Sequence, residues 1–393
     1  MPASLDNRRF HLKSLAISTL DRLITISGLA AYLHILARLV VLVRKPIIIG
    51  ITGSVGKSTT IEMIASVLKL PAVESLIGEV GQAENNMNDD LGLPATLLQF
   101  GDLKEDYAPS RLKTACLAPF RAMRIMLGGR YPKVFVLEFG AGWGGHVARL
   151  AALAKPQVAV VTTIGAAHLE RFKTLEGVAN EKIALVKAVP PSGLVVLGCG
   201  HDFVAQFEQA SNAPVVKVDG KGAEFAEMAA RAICSYLRIP DTVVKSGLRA
   251  FKPPKGRLNI LKLCNMTLID DSYNANPASM KYGLDTLAKT AGQGDRKVAV
   301  LGHMAELGEH APQYHKEIGI YARAHADYVI GVGELARYYD ADIWFESSEA
   351  CSEQIQEVLR ENDFVLVKGS GAARMRMVAD KLREYCKPDS PVC

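Results

Sequence analysis

No two of the seven cysteines (Cys116, Cys199, Cys234, Cys264, Cys351, Cys386 and Cys393) stand as a C-x2-C pair. That absence argues against a metal site or a disulfide framework and leaves reduced cytosolic thiols, mostly packing residues. A strong net charge is missing too, with 46 Lys and Arg against 41 Asp and Glu. The small excess sits at one end: residues 1–45 hold seven basic residues (Arg8, Arg9, Lys13, Arg22, Arg38, Arg44, Lys45) and only Asp6 and Asp21. The rest balances at 39 against 39, so the body carries no electrostatic footprint for nucleic acid. With 393 residues, 49% hydrophobic and 22% charged, the chain is globular and long enough for two or three domains.

The first 45 residues lack what a secretory signal needs, since no small-residue cleavage site follows a compact apolar region. They also lack a clean membrane span. Leu23–Ala37 is free of formal charge but has only 15 residues, short of the ~20 that cross a bilayer. Extension to Val43 gives 21 residues, but these include His34 and Arg38. A central Arg costs roughly 2.5–3.5 kcal/mol on insertion. From Leu15 to Val43 the sequence is apolar nearly all round a helix. Three readings follow, in descending order: a helix or helical hairpin packed on the body or on another subunit, a basic amphipathic anchor on a membrane surface, and a true span.

What the sequence does contain centres on Ile47–Thr60. A short β-branched run ends in a Gly-rich turn with Lys-Ser, and Thr60–Leu70 then reads as a helix. The strict G-x4-G-K-[ST] spacing is not met, because Ile51 stands where Gly would be; the tighter G-x-x-G-K-S form, Gly53 to Ser58, is. In a strand–turn–helix context this is a phosphate cradle. Glycines let the backbone of Gly53, Ser54, Val55, Gly56, Lys57, Ser58 and Thr59 close around phosphate oxygens, and the helix N-terminus favours negative charge. Lys57 neutralises that charge and Ser58 can ligate Mg²⁺. The weaker alternative is an ordinary Gly turn.

Lys133–Glu138 reads as a buried strand ending in a carboxylate, followed by a turn with Gly140, Gly142, Gly144 and Gly145. An acid at the end of a second strand, beside a phosphate loop, is where a Mg²⁺ ligand should stand. Val158–Thr163 is another strand, leading to His168 at its carboxyl end; a structural and a functional histidine are equally consistent with this. Gly177–Val189 reads as a helix carrying Lys182 and Lys187, and Leu194–Leu197 as a further strand. Such alternation implies a parallel sheet with helices on both faces. After a linker at Phe251–Arg257 a second, smaller α/β pattern begins, with a polar loop Asp270–Pro277 after its first strand. The expected divisions are a helical segment 1–45, a central domain 46–254 and a C-terminal domain 255–393.

Several stretches together resemble the ATP-dependent Mur ligases of peptidoglycan synthesis, in the family's order from about residue 46 to 380. They include Ile51–Thr60, Asn86–Leu98, Glu138–Val147, Thr163–Glu170, Ala179–Lys182, Lys255–Leu258, Asp270–Met280, Leu301–Glu309 with His315, and Val367–Ser370. Asp-Asp-Ser-Tyr-Asn-Ala-Asn-Pro and Met-Ala-Glu-Leu-Gly-Glu point to the branch that adds D-alanyl-D-alanine. The resemblance implies a P-loop-type parallel-sheet ATPase domain and a Rossmann-like C-terminal domain. It also implies a carboxylate–amine ligase: an acceptor carboxylate attacks the γ-phosphate of ATP, and the amine of an amino acid or dipeptide then displaces phosphate from the acyl phosphate. By the same resemblance Lys57 holds the β/γ-phosphates, Ser58 and Glu138 ligate one Mg²⁺, and His168 a second. Lys182 is the lysine that the family carbamylates to hold that second ion. Arg257 reaches the γ-phosphate, Asp271, Asn274 and Asn276 close on the nucleotide, and Asn86, Asn88, Lys368 and Ser370 lie toward the substrates.

Three departures bear on the acceptor. The UDP-gripping N-terminal domain of the family is expected to be absent, residues 1–45 being too short to build it. The second half of the central domain is shortened, and the family's adenine-side His-Asn-x-x-Asn reads Ala223, Glu224 and Glu227 here. The family's Gly-Asp-Met is Gly302-His303-Met304. The expectation is a cytoplasmic ligase with a peptidoglycan-related acceptor, UDP-linked or lipid-linked. Residues 1–45 would be available for membrane-surface contact or self-association. A non-catalytic nucleotide-binding partner of a cell-wall enzyme, and a kinase or simple ATPase, are the competing readings.

Overall fold

The computed structural model describes residues 25–83, 87–101 and 111–385. The chain divides into two compact units. The first holds the described residues of Met1–Gly53, Met63–Thr162 and Glu181–Ala250; the second holds those of Ser54–Glu62, Thr163–Asn180 and Phe251–Cys393.

The first sheet has six strands in the order β2-β3-β1-β4-β5-β6, all parallel. They are β1 (Ile47–Thr52), β2 (Val80–Gln82), β3 (Val134–Glu138), β4 (Val158–Val161), β5 (Leu194–Gly198) and β6 (Val215–Val218). The inner four are near-continuous apolar runs rich in Val, Ile and Leu because both faces are covered, leaving no solvent side to alternate toward. Register places Ile51 of β1 beside Glu138 of β3 on one side and Val160 of β4 on the other. The strand order reverses about β1, the position at which open α/β sheets bind ligands beyond the carboxyl ends of their strands.

Helix α1 (Ile26–Arg44) precedes β1; the Thr25 hydroxyl caps it by accepting from the Gly28 amide at 3.0 Å. One side, with Leu29, Leu33, Ala37 and Val41, is buried. It packs on α4 (Gly92–Leu97), α5 (Arg111–Met126) and α6 (His146–Ala154). Arg44 ends the helix by donating to the carbonyls of Ile125 and Gly129, at 2.7 and 3.1 Å. Of the three readings of this segment, packing on the body is what its described part does; residues 1–24 lie outside the described part. Helices α2 (Lys57–Leu68) and α3 (Pro71–Ile77) follow β1. Beyond α6 come α7 (Leu169–Phe172), α8 (Leu175–Lys187), α9 (Val204–Gln209), α10 (Ala223–Tyr236) and α11 (Asp241–Ala250).

The second sheet runs β11-β10-β9-β12-β8-β7. Its strands are β7 (Asn259–Lys262), β8 (Met266–Asp271), β9 (Lys297–Gly302), β10 (Tyr328–Val332), β11 (Ile343–Phe345) and β12 (Asp363–Lys368). Only β7, at the edge, is antiparallel. Its helices are α12 (Pro277–Thr290), α13 (Ala311–His325), α14 (Ser348–Val358) and α15 (Arg376–Tyr385). Cys234 and Cys351 are free and buried, and burial pushes both thiols up to about 12. Cys264, in contrast, is disulfide-bonded, which corrects the expectation that all the cysteines are reduced.

Candidate active site

The phosphate loop follows β1. Gly53 has φ +144°, and a Cβ there would fall 1.9 Å from the Thr162 hydroxyl, so only glycine fits. The loop is pinned to the segment after β4: the Ser54 amide donates to the Thr163 carbonyl at 2.8 Å and the Val55 amide to the Thr163 hydroxyl at 3.1 Å. The Ser54 hydroxyl donates to the Gly165 carbonyl and accepts from its amide, at 3.1 and 3.0 Å. Gly56, at φ +88°, turns the chain into α2, which starts at Lys57 rather than at Thr60. Lys57, Ser58 and Thr59 thus form its first turn, where amides have no intrahelical acceptor and the helix dipole favours an anion.

Glu138 ends β3, and Asn88 Nδ2 donates to its carboxylate at 2.9 Å. The Asn88 carbonyl accepts from the Gly140 amide at 2.9 Å, and a Cβ on Gly140 would lie 2.7 Å from that oxygen. Asn88 is therefore wedged against the carboxylate it orients; Asn86 lies outside the described residues. The glycine turn beyond Glu138 is held by a residue that the sequence does not single out. Glu181, buried, accepts from the Gly145 and Val147 amides, both at 2.7 Å, and so caps α6. His146 is buried beneath Trp143 with ring centroids 3.9 Å apart, and its Nδ1 accepts from the Gly142 amide at 2.9 Å. Burial pushes the pKa of His146 down. Lys182, next to Glu181 on α8, is 1% exposed.

His168 sits at φ +58° at the head of α7, with Nδ1 against the Glu306 carboxylate. The Glu306 carbonyl accepts from the Glu170 amide at 3.1 Å. The close approach of the His168 imidazole holds the Glu306 carboxyl below its usual range. A carboxylate on one ring nitrogen fixes the tautomer and orientation of an imidazole, leaving the other to accept a metal. Glu306 lies inside the Met-Ala-Glu-Leu-Gly-Glu stretch, but nothing in the sequence pairs it with His168.

The remaining residues gather around the start of the second sheet. The Arg257 guanidinium lies over the Tyr273 ring at 3.8 Å, and its buried Nε has no hydrogen-bond partner among the described residues. Parallel register sets Lys368 beside Asp271. Its Nζ lies 2.5 Å from the Asp271 carboxylate and 3.0 Å from the Asn274 carbonyl. Asp271 also accepts from the Leu258 amide at 3.2 Å. Burial pushes its carboxyl up, and Lys368 pulls against that. Asn276 caps α12, accepting from the Ser279 amide at 2.9 Å, while its Nδ2 donates to the Ser54 carbonyl at 3.0 Å. Asn274 accepts from the Ala275 amide at 2.8 Å. The Ser370 hydroxyl accepts from the Ala373 amide at 3.3 Å and is buried. Lys368 and Ser370 are thus buried and hydrogen-bonded within the second unit.

A nucleotide-type phosphate loop and a carboxylate on neighbouring strands, with a second α/β sheet, define a class of ATP-using enzyme, and comparison with known proteins gives the family. The model of the Mur ligase middle domain matches residues 51–109 and 124–239, and that of the Mur ligase glutamate ligase domain matches 256–371. The chain is 31% identical over 427 aligned positions to the UDP-N-acetylmuramoyl-tripeptide–D-alanyl-D-alanine ligase of Mycobacterium tuberculosis, covering 90% of this chain and 77% of that one. The Escherichia coli enzyme of the same name is 28% identical, covering 86% and 77%. In fold the chain is similar to the crystal structure of MurF ligase from Thermotoga maritima in complex with ADP, with a TM-score of 0.73 at 22% identity, covering 92% and 84%. The chain belongs to the Mur ligase family. It is an ATP-dependent ligase of the MurF-like kind.

Proposed function

We propose that this ligase joins the amine of an amino acid or dipeptide to a carboxylate on a peptidoglycan precursor or related acceptor. The M. tuberculosis and E. coli relatives supply the reference pair, UDP-N-acetylmuramoyl-tripeptide and D-alanyl-D-alanine. The observation that carries the reading is the Gly53–Thr162 approach, which leaves no room for a side chain where the loop leaves β1, the strand whose Ile51 pairs with Glu138. This is a cradle built for phosphate. ATP with a divalent metal supplies the phosphoryl group that activates the acceptor carboxylate. The chain's own residues bind and orient. Gly53 to Thr59 hold the phosphates, with Lys57 neutralising their charge. Ser58 and Glu138 hold one Mg²⁺, and Asn88 keeps the Glu138 carboxylate aimed. His168 ligates a second Mg²⁺ through Nε2, fixed by Glu306 at Nδ1, together with a carbamylated Lys182. The burial of Lys182 supports that role, since a carbamate is sheltered there from water. Arg257, with Nε unsatisfied, is held ready over Tyr273 for the γ-phosphate. The nucleotide-binding part is 46–254 and the closing part 255–393. Asp271, Asn274 and Asn276 shape the loop that closes, while Asn86, Lys368 and Ser370 belong to the substrate side. The reaction is placed in the cytoplasm, with residues 1–45 as the segment that meets a membrane surface or another copy.

The test is phosphate release from ATP with the reference pair, each substrate omitted in turn, and Lys57→Ala as control. Release that needs both substrates and vanishes in the control supports the proposal. Release without the amine or the acceptor overturns it. No turnover with the pair, but retained Mg²⁺-dependent ATP binding, overturns that acceptor. For Lys182, Lys182→Ala should lose turnover and recover part of it with added short-chain carboxylates, which replace the missing anion; absence of rescue contradicts the carbamate.

A further inference from the structure

Helix α1 is apolar on every side, yet only one side has apolar matter against it. Leu29, Leu33, Ala37 and Val41 are buried, whereas Ile35, Leu39 and Leu42 on the opposite side are exposed. Its neighbour α5 repeats the pattern. Thr114, Ala118, Ala122 and Ile125 are buried, and the other side shows Leu117, Phe120 and Met123, with Leu127 just past the helix. The two helices pack on each other. Of the seventeen large apolar side chains exposed among the described residues, nine lie on these helices or at Leu127. Apolar surface so concentrated on a soluble unit marks an interaction face.

The charge of this face has one sign. Among the described residues, 25–45 hold Arg38, Arg44 and Lys45 and no acid. Residues 111–133 hold Arg111, Lys113, Arg121, Arg124, Arg130 and Lys133, again with no acid. Arg44 is turned onto backbone carbonyls and Arg130 onto Glu79, while Arg38, Lys113 and Arg124 are exposed. A second copy meeting this face isologously would set Arg and Lys against Arg and Lys. An anionic lipid surface supplies both the apolar phase and the opposite charge.

We propose that α1 and α5 together form a membrane-binding face that rests at the headgroup–acyl boundary of an anionic bilayer. By length and apolarity α1 could cross a membrane. Crossing, however, would strip its buried side from α4, α5 and α6, whereas lying along the surface keeps that side covered. The face is independent of the ligase reading, because lipid binding needs no turnover.

The test is flotation of the purified full chain with vesicles of phosphatidylcholine alone or mixed with phosphatidylglycerol. Binding is expected to the anionic vesicles, to fall at least tenfold in Leu39→Glu or Phe120→Glu, and to be unchanged in Ile320→Glu, an exposed apolar position on α13. Arg38→Gln with Arg124→Gln should lower partition about 25-fold, at about fivefold per basic charge, and flatten its salt dependence. ATP binding, measured on each variant, shows that it is folded. Failure of the full chain to float with anionic vesicles overturns the proposal, as does flotation that the Glu variants leave intact. A dimer in light scattering that those variants dissociate, without flotation, overturns it in favour of a second copy.

Discussion

Replacing Lys368 with Met removes the ammonium that neutralises Asp271 while keeping an unbranched apolar chain in the same space. The two groups are 2.5 Å apart and both are buried. Removing one partner of a buried pair leaves an uncompensated charge and costs about 3–5 kcal/mol. The carboxyl relieves part of this by taking a proton. Burial already pushes Asp271 up, and Lys368, followed by Arg257, is what opposes it. Without Lys368 the folded-state pKa lies above the unfolded value of about 3.9. The folded variant then holds a proton that the unfolded chain has released. Its stability therefore falls as pH rises from about 4 toward the folded pKa, by up to about 1.4 kcal/mol per unit. Urea unfolding at pH 5 to 8, followed at Trp344 on β11 in a Trp143→Phe background, reads the loss and its slope. Asp271→Asn added to Lys368→Met should recover much of it. A loss below about 1 kcal/mol, or one independent of pH, refutes the reasoning.

Gly53→Ala should weaken ATP binding at least tenfold by calorimetry, because it adds backbone strain of about 1–3 kcal/mol to a steric contact; Thr162→Ala relieves the contact but not the strain, so rescue should be partial. Glu181→Ala orphans the buried Val147 amide and removes the cap on the Gly145 amide, and should cost about 1–3 kcal/mol in unfolding followed at Trp143, with Glu181→Gln in between. His315 is buried, accepts from the Met304 amide at 2.9 Å and has its pKa pushed down to about 4 by burial. Its stabilisation is present above the unfolded pKa of about 6.5 and is lost as pH falls toward 4, a slope that His315→Leu should remove from urea titrations.

The phosphate loop, Glu138 at a strand end and a second α/β sheet were all legible, because each is written in a contiguous local pattern. The inner strands are near-continuous apolar runs rich in Val, Ile and Leu, and Gly53-x-x-Gly56-Lys57-Ser58 announces itself by spacing. The edges were not legible. Val80–Gln82, Val215–Val218, Asn259–Lys262 and Ile343–Phe345 are three or four residues long and are fixed by pairing with a neighbour rather than by propensity. Helix α2 begins three residues early because Gly56 turns the backbone there, overriding the weak helix preference of Ser58 and Thr59. Glu181 and Glu306 look like any solvated acid in the sequence. Only tertiary structure brings one to the Gly145 and Val147 amides and the other to His168. The outward apolar face of α5 was hidden for a related reason, since Arg121 and Arg124 interrupt its pattern and only burial shows which side is covered.

The central claim, ligation through an activated carboxylate, is tested most directly with an acceptor whose carboxylate carries ¹⁸O. The account predicts that the phosphate released with D-alanyl-D-alanine present contains one ¹⁸O, taken from the carboxylate, in step with amide formation. Phosphate containing no ¹⁸O, or released at the same rate without the amine, would contradict it.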